Sequence, residues 1–352
     1  MASVVAVSYR EFTPSATALE SMIATLIMAS AFAQSPELQV DLHLDTPTQM
    51  FTKGLHLDAP VGLEAGISQL AAGKTNVVVE VLWPPRKPDH RKRAFDLLGV
   101  VEGEVSLSER LVLAREPSVV RDAVAAGKIA VLISMEGAHG LGAGDDWRDV
   151  LDQFYDRGLR LLGVTWSFSN RFAGSSSDQG GGLTAEGREL VKHARAKRII
   201  LDVSHASLET TSEICTASPA PVIASHSNCR TLRSHTRNLT DDQIRCIAAT
   251  GGVIGLNFHA PFVGGGDNPA SVARVADHAD HLAKVGGHGV VALGSDFDGY
   301  IKKPIGLEDA SKIPELWAEL RRRGWTDVQI RGVRGENFMR AWTAVRAGAG
   351  SD

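Results

Sequence analysis

Cysteine is scarce. The chain has three in 352 residues, Cys215, Cys229 and Cys246, with no CxxC pair among them. That number and spacing exclude a disulfide framework and a zinc knuckle, and fit core or near-core thiols. A strong charge of either sign is missing too. The formal net charge is -4, so neither nucleic acid nor an anionic membrane surface is an expected partner. The basic runs Arg91-Lys92-Arg93 and Arg321-Arg322-Arg323 are short and lie among acidic residues, as on a solvated surface. No repeat, low-complexity segment or linker divides the sequence. The apolar run Met22 to Ala33 is too short to span a bilayer.

That run leaves two readings of the N-terminus. It ends in the small-x-small pattern Ala31-Phe32-Ala33, like the apolar core and cleavage site of a signal peptide. Glu11 and Glu20 offset the lone Arg10, so the positive leading region is lacking. Export with residues 1–33 as a signal, or a cytoplasmic chain with an N-terminal helix, both stay open. Residues 1–38 are expected to form that helix or signal-like segment, and residues 39–352 one domain.

What the chain does have is rhythm. Eight apolar, β-rich runs follow residue 38, at 39–44, 76–82, 128–134, 159–165, 198–203, 221–225, 252–258 and 289–295. Near-continuous hydrophobicity is the mark of parallel strands buried on both faces. Helical segments separate most of them. One starts at Thr184, an N-cap hydroxyl; another carries a capping box, Thr240 with Gln243, and stops at Gly251. Capping explains Thr240 better than the glycosylation triplet Asn238-Leu239-Thr240 does. Eight βα alternations predict an α/β fold of the (β/α)8 TIM-barrel type. Additional C-terminal helices are expected near 307–323, 326–335 and 336–346, outside the barrel or across its bottom.

In such a barrel the active site lies past the C-terminal ends of the strands. The first run ends in DLHLDTP, with His43 and Asp45 two apart and so on one strand face. The third runs into Glu136, the fifth ends at His205, the sixth at His226, and the eighth at Asp296. A histidine at one strand end is usually structural. Three histidines and several carboxylates at one rim are a metal site, of a composition that suits zinc. The set is large enough for two ions with Glu136 as a shared carboxylate, which leaves Asp296 for proton transfer.

The ordered motifs DLHLDTP, MEGAHG, RGLRLLGVTWSFSN, DVSHAS, APVIASHSN, TRNLTDDQ, VADHADHLAKVGG, GSDFDG, GLEDASKIPELWAELRRRGWTD and GENFMRAW resemble the membrane (renal) dipeptidase family of zinc metallopeptidases across nearly the whole chain. The resemblance implies two Zn2+ per chain. His43 and Asp45 would bind one, His205 and His226 the other, and Glu136 would bridge. It implies that Asp296 holds the bridging water and carries its proton to the leaving amine. It implies that Arg237 grips the substrate's C-terminal carboxylate, and it makes a homodimer the assembly to expect.

One departure stands out. Renal-type enzymes end the fourth strand in Thr-His, where the histidine contacts substrate; this chain has Thr165-Trp166. An indole donates a hydrogen bond but is not protonated. Asn170, Arg171 or His259 are candidates to stand in. His259 reads equally as a pocket or a rim residue, and Gly174 to Gly182 reads as a mobile rim loop. The expected function is a binuclear zinc dipeptidase that cleaves free dipeptides, with a D-residue allowed at the C-terminal position, through a metal-bridging hydroxide. The alternative is a metal-dependent hydrolase of N-acyl amino acids, lactones or cyclic amides on the same barrel. Those often bridge their metals with a lysine on the fourth strand, and no lysine stands there.

Overall fold

The computed structural model describes residues 36–178, 180–217, 220–266 and 268–348. The N-terminal helix or signal-like segment expected at 1–38 therefore falls outside the described residues as far as residue 35.

Among the described residues the chain forms nine strands. They are β1 (Val40–Leu44), β2 (Val77–Leu82), β3 (Leu111–Leu113), β4 (Ile129–Met135), β5 (Leu159–Gly163), β6 (Ile200–Asp202), β7 (Val222–Ile223), β8 (Ile254–Leu256) and β9 (Val291–Leu293). The eight expected runs each hold one of them. β3 was not expected: three residues long, it pairs with the start of β4, Leu111 opposite Ile129, before β5 joins at Ile133. Every ladder is parallel.

The closed (β/α)8 barrel is not what forms. One sheet runs β1-β2-β4-β5-β6-β7 with β3 beside β4, and β8-β9 make a separate two-stranded sheet. The result is a curled, open half-barrel. At the two seams the regular ladder shortens to isolated bridges, Ala224 with Ile254 and Leu44 with Phe297, with a few backbone bonds such as Gly255 N–H to the Ala224 carbonyl at 2.8 Å and Asp296 N–H to the His43 carbonyl at 3.1 Å. The physical cause lies in where the backbone amides go. The Ser225 N–H donates to the Asp202 carboxylate at 2.9 Å, and the Ser295 N–H to Asp41 at 2.9 Å. Hydrogen bonds that would extend a ladder end on buried side chains instead, and a donor used once is not available again. Close approach at the β7–β8 seam also demands glycine. A Cβ on Gly255 or Gly294 would lie 1.9 or 1.8 Å from the Ser225 carbonyl oxygen.

Strand side chains alternate between two cores, as burial on both faces requires. Val131 and Ile133 of β4 join the larger cluster with Leu97, Phe154, Leu190 and Leu282 from helices. Ala130 and Leu132 join the smaller one, with Leu42, Val79, Leu161, Ile200 and Ala292. The C-terminal helix Asn337–Ala347 completes that second cluster through Phe338, Met339 and Trp342. The expected helix signals hold. Thr184 caps Ala185–Ala196, and the Thr240–Gln243 capping box opens Asp241–Ala249. No helix among the described residues is long and apolar enough to cross a membrane.

Candidate metal centre

Five strand ends deliver the expected ligands to one place. His43 is the fourth residue of β1, and Asp45 follows its last. Glu136 follows β4, His205 and His226 stand three residues past β6 and β7, and Asp296 three past β9. Glu136 Oε1 is the common neighbour. It lies 2.9 Å from His205 Nε2, 3.4 Å from His226 Nε2 and 3.6 Å from His43 Nε2. His43 Nε2 is also 3.8 Å from Asp45 Oδ2 and 4.0 Å from Asp296 Oδ1. The groups His43–Glu136–His226 and His43–Asp45–Asp296 each bring one ligand atom per residue within 4.8 Å. His43 thus lies between two candidate ion sites.

The imidazoles are aimed by what holds their far nitrogens. Ser225 Oγ lies 2.8 Å from His226 Nδ1 and 3.1 Å from His43 Nδ1, and Ser167 Oγ is 3.1 Å from His205 Nδ1. That leaves each Nε2 facing inward, the arrangement that supporting hydrogen bonds give to metal-ligating histidines. His205 Nε2 and His226 Nε2 are 3.1 Å apart. His43 Nε2 and Asp45 Oδ1 are buried with no hydrogen-bond partner. Buried polar atoms without partners are costly, and lone pairs that converge from imidazoles and carboxylates satisfy a cation. The residues fit a divalent metal.

The electrostatics agree. Burial, then repulsion from Glu136, Asp296 and Asp298, holds the Asp45 carboxyl well above its usual range. Burial and Asp296 do the same to Glu136. Burial pulls His205 and His226 well down and His43 to about 3, so all three imidazoles are neutral, the ligating form. Burial raises Asp296 to about 7, against a lowering hydrogen bond from Asn257 Nδ2 to its Oδ2 at 2.9 Å. Crowded acids with neutral imidazoles are what positive charge would relieve.

Backbone strain gathers at the same rim. His205, Asp296, Asp298 and Tyr300 adopt φ of 66°, 68°, 65° and 58°. Left-handed conformations in residues other than glycine cost energy and cluster at functional sites. Asp298 is anchored by Thr46 Oγ1 at 2.9 Å and the Glu64 N–H at 2.8 Å.

Beside the ligands opens a cavity of about 240 Å³. Arg237 lines it while only 5% exposed. One Nη donates to the His226 carbonyl at 3.2 Å, and its Nε is buried with no acceptor. Burial draws its pKa down to about 10, which leaves it charged. Trp166 lines the cavity too, edge-on to Trp83 at 5.1 Å and 6.3 Å from the His205 ring. His259 is also in the wall, with burial lowering its pKa to about 4. Of the other stand-ins considered for the absent histidine, Asn170 bonds to the Val164 carbonyl and Arg171 to Glu186; neither lines the cavity. The glycine-rich segment 174–182 is tied to the site. Ser175 Oγ donates to the Trp166 carbonyl at 2.7 Å, and the Ser176 N–H to the His205 carbonyl at 2.8 Å.

Several residues escaped the sequence reading. Trp83, Thr48, Phe262 and Tyr300 form cavity wall, and Ser225 and Asn257 orient ligands. Trp83 directly follows β2, a strand-end position like those of the ligands, but an indole is not a metal donor.

Known proteins resemble this chain in sequence and fold. The family model for membrane dipeptidase (peptidase family M19) matches residues 32–351. An uncharacterized dipeptidase of Schizosaccharomyces pombe is 39% identical over 232 residues, 63% of this chain and 55% of that protein. Dipeptidase verJ of Clonostachys rogersoniana is 36% identical over 241 residues, 68% of this chain and 61% of that protein. The aligned chain therefore spans less than two thirds of the length of these curated relatives. The crystal structure of a metallopeptidase from Rhodobacter sphaeroides, liganded with a phosphinate mimic of the dipeptide L-Ala-D-Ala, superposes with a TM-score of 0.79. It is 27% identical and covers 87% of this chain and 99% of its own.

Proposed function

The chain belongs to the membrane dipeptidase family, and on that premise we propose that it is a zinc-dependent dipeptidase acting on free dipeptides. The observation that carries this is the meeting of three inward imidazole nitrogens on Glu136, with Asp45 and Asp296 alongside, next to a buried arginine in a small cavity. Histidine and carboxylate donors favour zinc. His43, Asp45, Glu136, His205 and His226 would hold two ions, with Asp296 adjoining the His43–Asp45 end. Bound there, the ions would supply Lewis acidity toward the scissile carbonyl and water of lowered pKa.

The protein's own groups do the rest. Asp296 accepts a proton at Oδ1, the oxygen facing His43, while Asn257 holds Oδ2. A carboxyl raised toward neutrality can return that proton to the leaving amine nitrogen. Arg237 brings a charged guanidinium to the cavity wall, and a guanidinium suits the substrate carboxylate. A cavity of about 240 Å³ suits a small substrate of dipeptide size. Trp166 shapes the wall but cannot supply a proton. The Rhodobacter protein's L-Ala-D-Ala mimic supports acceptance of a D-residue at the C-terminal position. Residues 39–352 are proposed to carry the activity as one domain, and a homodimer is the proposed assembly.

The test is hydrolysis of dipeptides with L and D second residues, using protein stripped of metal and then reloaded with zinc. Two zinc ions per chain and zinc-dependent cleavage are expected. Two bound zincs without cleavage would move the protein to the hydrolases of acyl amides, lactones or cyclic amides. No zinc binding would remove the metal reading altogether.

A further inference from the structure

Two of the three cysteines, distant in sequence, meet in the fold. Cys215 lies in the last turn of helix Leu208–Thr216, and Cys246 in helix Asp241–Ala249. These helices follow β6 and β7 in successive βα units. Their register is marked by Gln243 Nε2, which donates to Thr211 Oγ1 at 3.1 Å. Cys215 stands four residues beyond Thr211, and Cys246 three beyond Gln243. Those spacings place both on the faces already in contact, about one turn further along. That register turns the Cys215 and Cys246 side chains toward one another across the helix pair. Cys215 is 5% exposed, and Cys246 is half-buried.

The surroundings add a cation. Arg195 is fixed beside the end of the first helix, with its Nη groups donating to the Ile214 and Ala217 carbonyls at 3.0 and 2.6 Å. Burial, then the neighbouring Cys246, pushes the Cys215 thiol up, and the Arg195 charge offsets part of that rise. Cys229 is different. Its Sγ points to the His278 carbonyl oxygen at 3.5 Å.

We propose that Cys215 and Cys246 form an oxidation site, which a peroxide-class oxidant converts to a disulfide joining the two helices. Cys246, the less buried of the two, attacks one peroxide oxygen. The O–O bond breaks, a sulfenic acid forms and one water leaves. The Cys215 sulfur then attacks the Cys246 sulfur. The S–S bond forms, the S–O bond breaks, and the second water leaves with the Cys215 proton. Two thiols lose two electrons and two protons, and the peroxide becomes two waters. The disulfide would staple the helices behind the two strands that lead to His205 and His226.

The experiment treats the zinc-loaded full chain with hydrogen peroxide at small molar excess and maps its peptides without reduction. A linked Cys215–Cys246 peptide is expected. Titratable thiols in denaturant should fall from three to one, and dithiothreitol should restore them. Closing that loop should raise the thermal midpoint by roughly 5 °C. Cys246→Ser should abolish both the link and the rise; Cys246→Ala serves if the serine destabilises the helix. A disulfide involving Cys229, or Cys246 driven to sulfinic acid with Cys215 still free, would overturn the proposal. So would three unchanged thiols. Mapping the unmutated protein decides the matter whether or not either variant folds.

Discussion

The first and second halves of the strand series are built differently. In the first half β1, β2, β4 and β5 have 5, 6, 7 and 5 residues. In the second half β6, β7, β8 and β9 have 3, 2, 3 and 3. The long strands bond to one another. The short ones spend backbone donors on buried carboxylates, as Ser204 and Ser225 do on Asp202 and Ser295 does on Asp41. All four left-handed residues at the metal rim, His205, Asp296, Asp298 and Tyr300, follow short strands. Regular sheet gives a rigid frame, and irregular backbone aims side chains that a ladder would leave in line. Local rules break where the chemistry is.

The largest effects should come from the ligands, and each half supplies one to break. Glu136 follows the longest strand and has the oxygen nearest all three imidazoles. Glu136→Gln should release metal and lower kcat/KM by at least ~10³-fold, ~4 kcal/mol of barrier. Metal content and initial rates together measure it. Asp296→Asn, in the short-strand half, should keep the metal and lose about 10²-fold in kcat, the scale of one general acid–base group. Full activity in that variant would end the proton-shuttle assignment.

Next in size is the seam. Asp202 Oδ1 accepts the N–H groups of Ser204 and Ser225, both at 2.9 Å. Asp202→Ala strands two buried donors at roughly 1–3 kcal/mol each, so a loss of about 3 kcal/mol is expected in urea unfolding. A loss under 1 kcal/mol would mean that the short strands do not depend on their carboxylate anchors.

The two halves also differ in how legible they were. In the first half, runs of Val, Leu and Ile predict long strands, and β1, β2 and β4 lie within a residue of the expected bounds. In the second half the run at 252–258 yields only Ile254–Leu256, because Asn257 turns its side chain to Asp296 and Gly255 lies against Ser225. Hydrophobicity marks such segments but does not show which amides will end on Asp41 or Asp202. A closed barrel was therefore the natural expectation and the wrong one. The site was more legible than the sheet, since ligand position depends on strand ends rather than on ladder continuity. His43, Asp45, Glu136, His205, His226, Asp296 and Arg237 do converge. What spacing could not reveal was their support, Ser225 above all, because a serine carries no signal of which nitrogen it will hold.

A smaller effect should separate the halves by pH. His278 sits behind the loop after β7. Its Nδ1 accepts the Cys229 N–H at 3.0 Å, and its Nε2 lies 3.1 Å from the Val263 carbonyl. Burial lowers its pKa to about 4, below the value of about 6.5 in the unfolded chain. The unfolded state therefore takes up the proton first as pH falls. Stability contributed at pH 8 should decline from about pH 6.5 downward and level off near pH 4. Linkage sets the loss at about 2 kcal/mol by pH 5. Urea midpoints for the wild type and His278→Gln should differ in slope over that window, the variant being flatter. Parallel slopes would assign the pH response to other groups.

The smallest effect tests the first half with a carboxyl of its own. Glu80 stands in mid-β2, paired with Leu44 of β1 and Ile133 of β4, and is 2% exposed. Neither of its oxygens has a hydrogen-bond partner. Burial, then repulsion from Asp298, Asp41 and Glu104, holds its pKa well above the usual range. The contrast with Asp202 is direct. One carboxylate is bonded to two backbone amides, and the other group is bonded to none. Removing an unsatisfied polar group in favour of an apolar one of similar volume recovers part of its desolvation cost. Glu80→Met should therefore stabilise the protein by about 1 kcal/mol, where Asp202→Ala destabilises it. A loss beyond 2 kcal/mol at Glu80 would show that the regular half also leans on a buried acid, and the division between a frame of ladders and a rim of anchored side chains would fail.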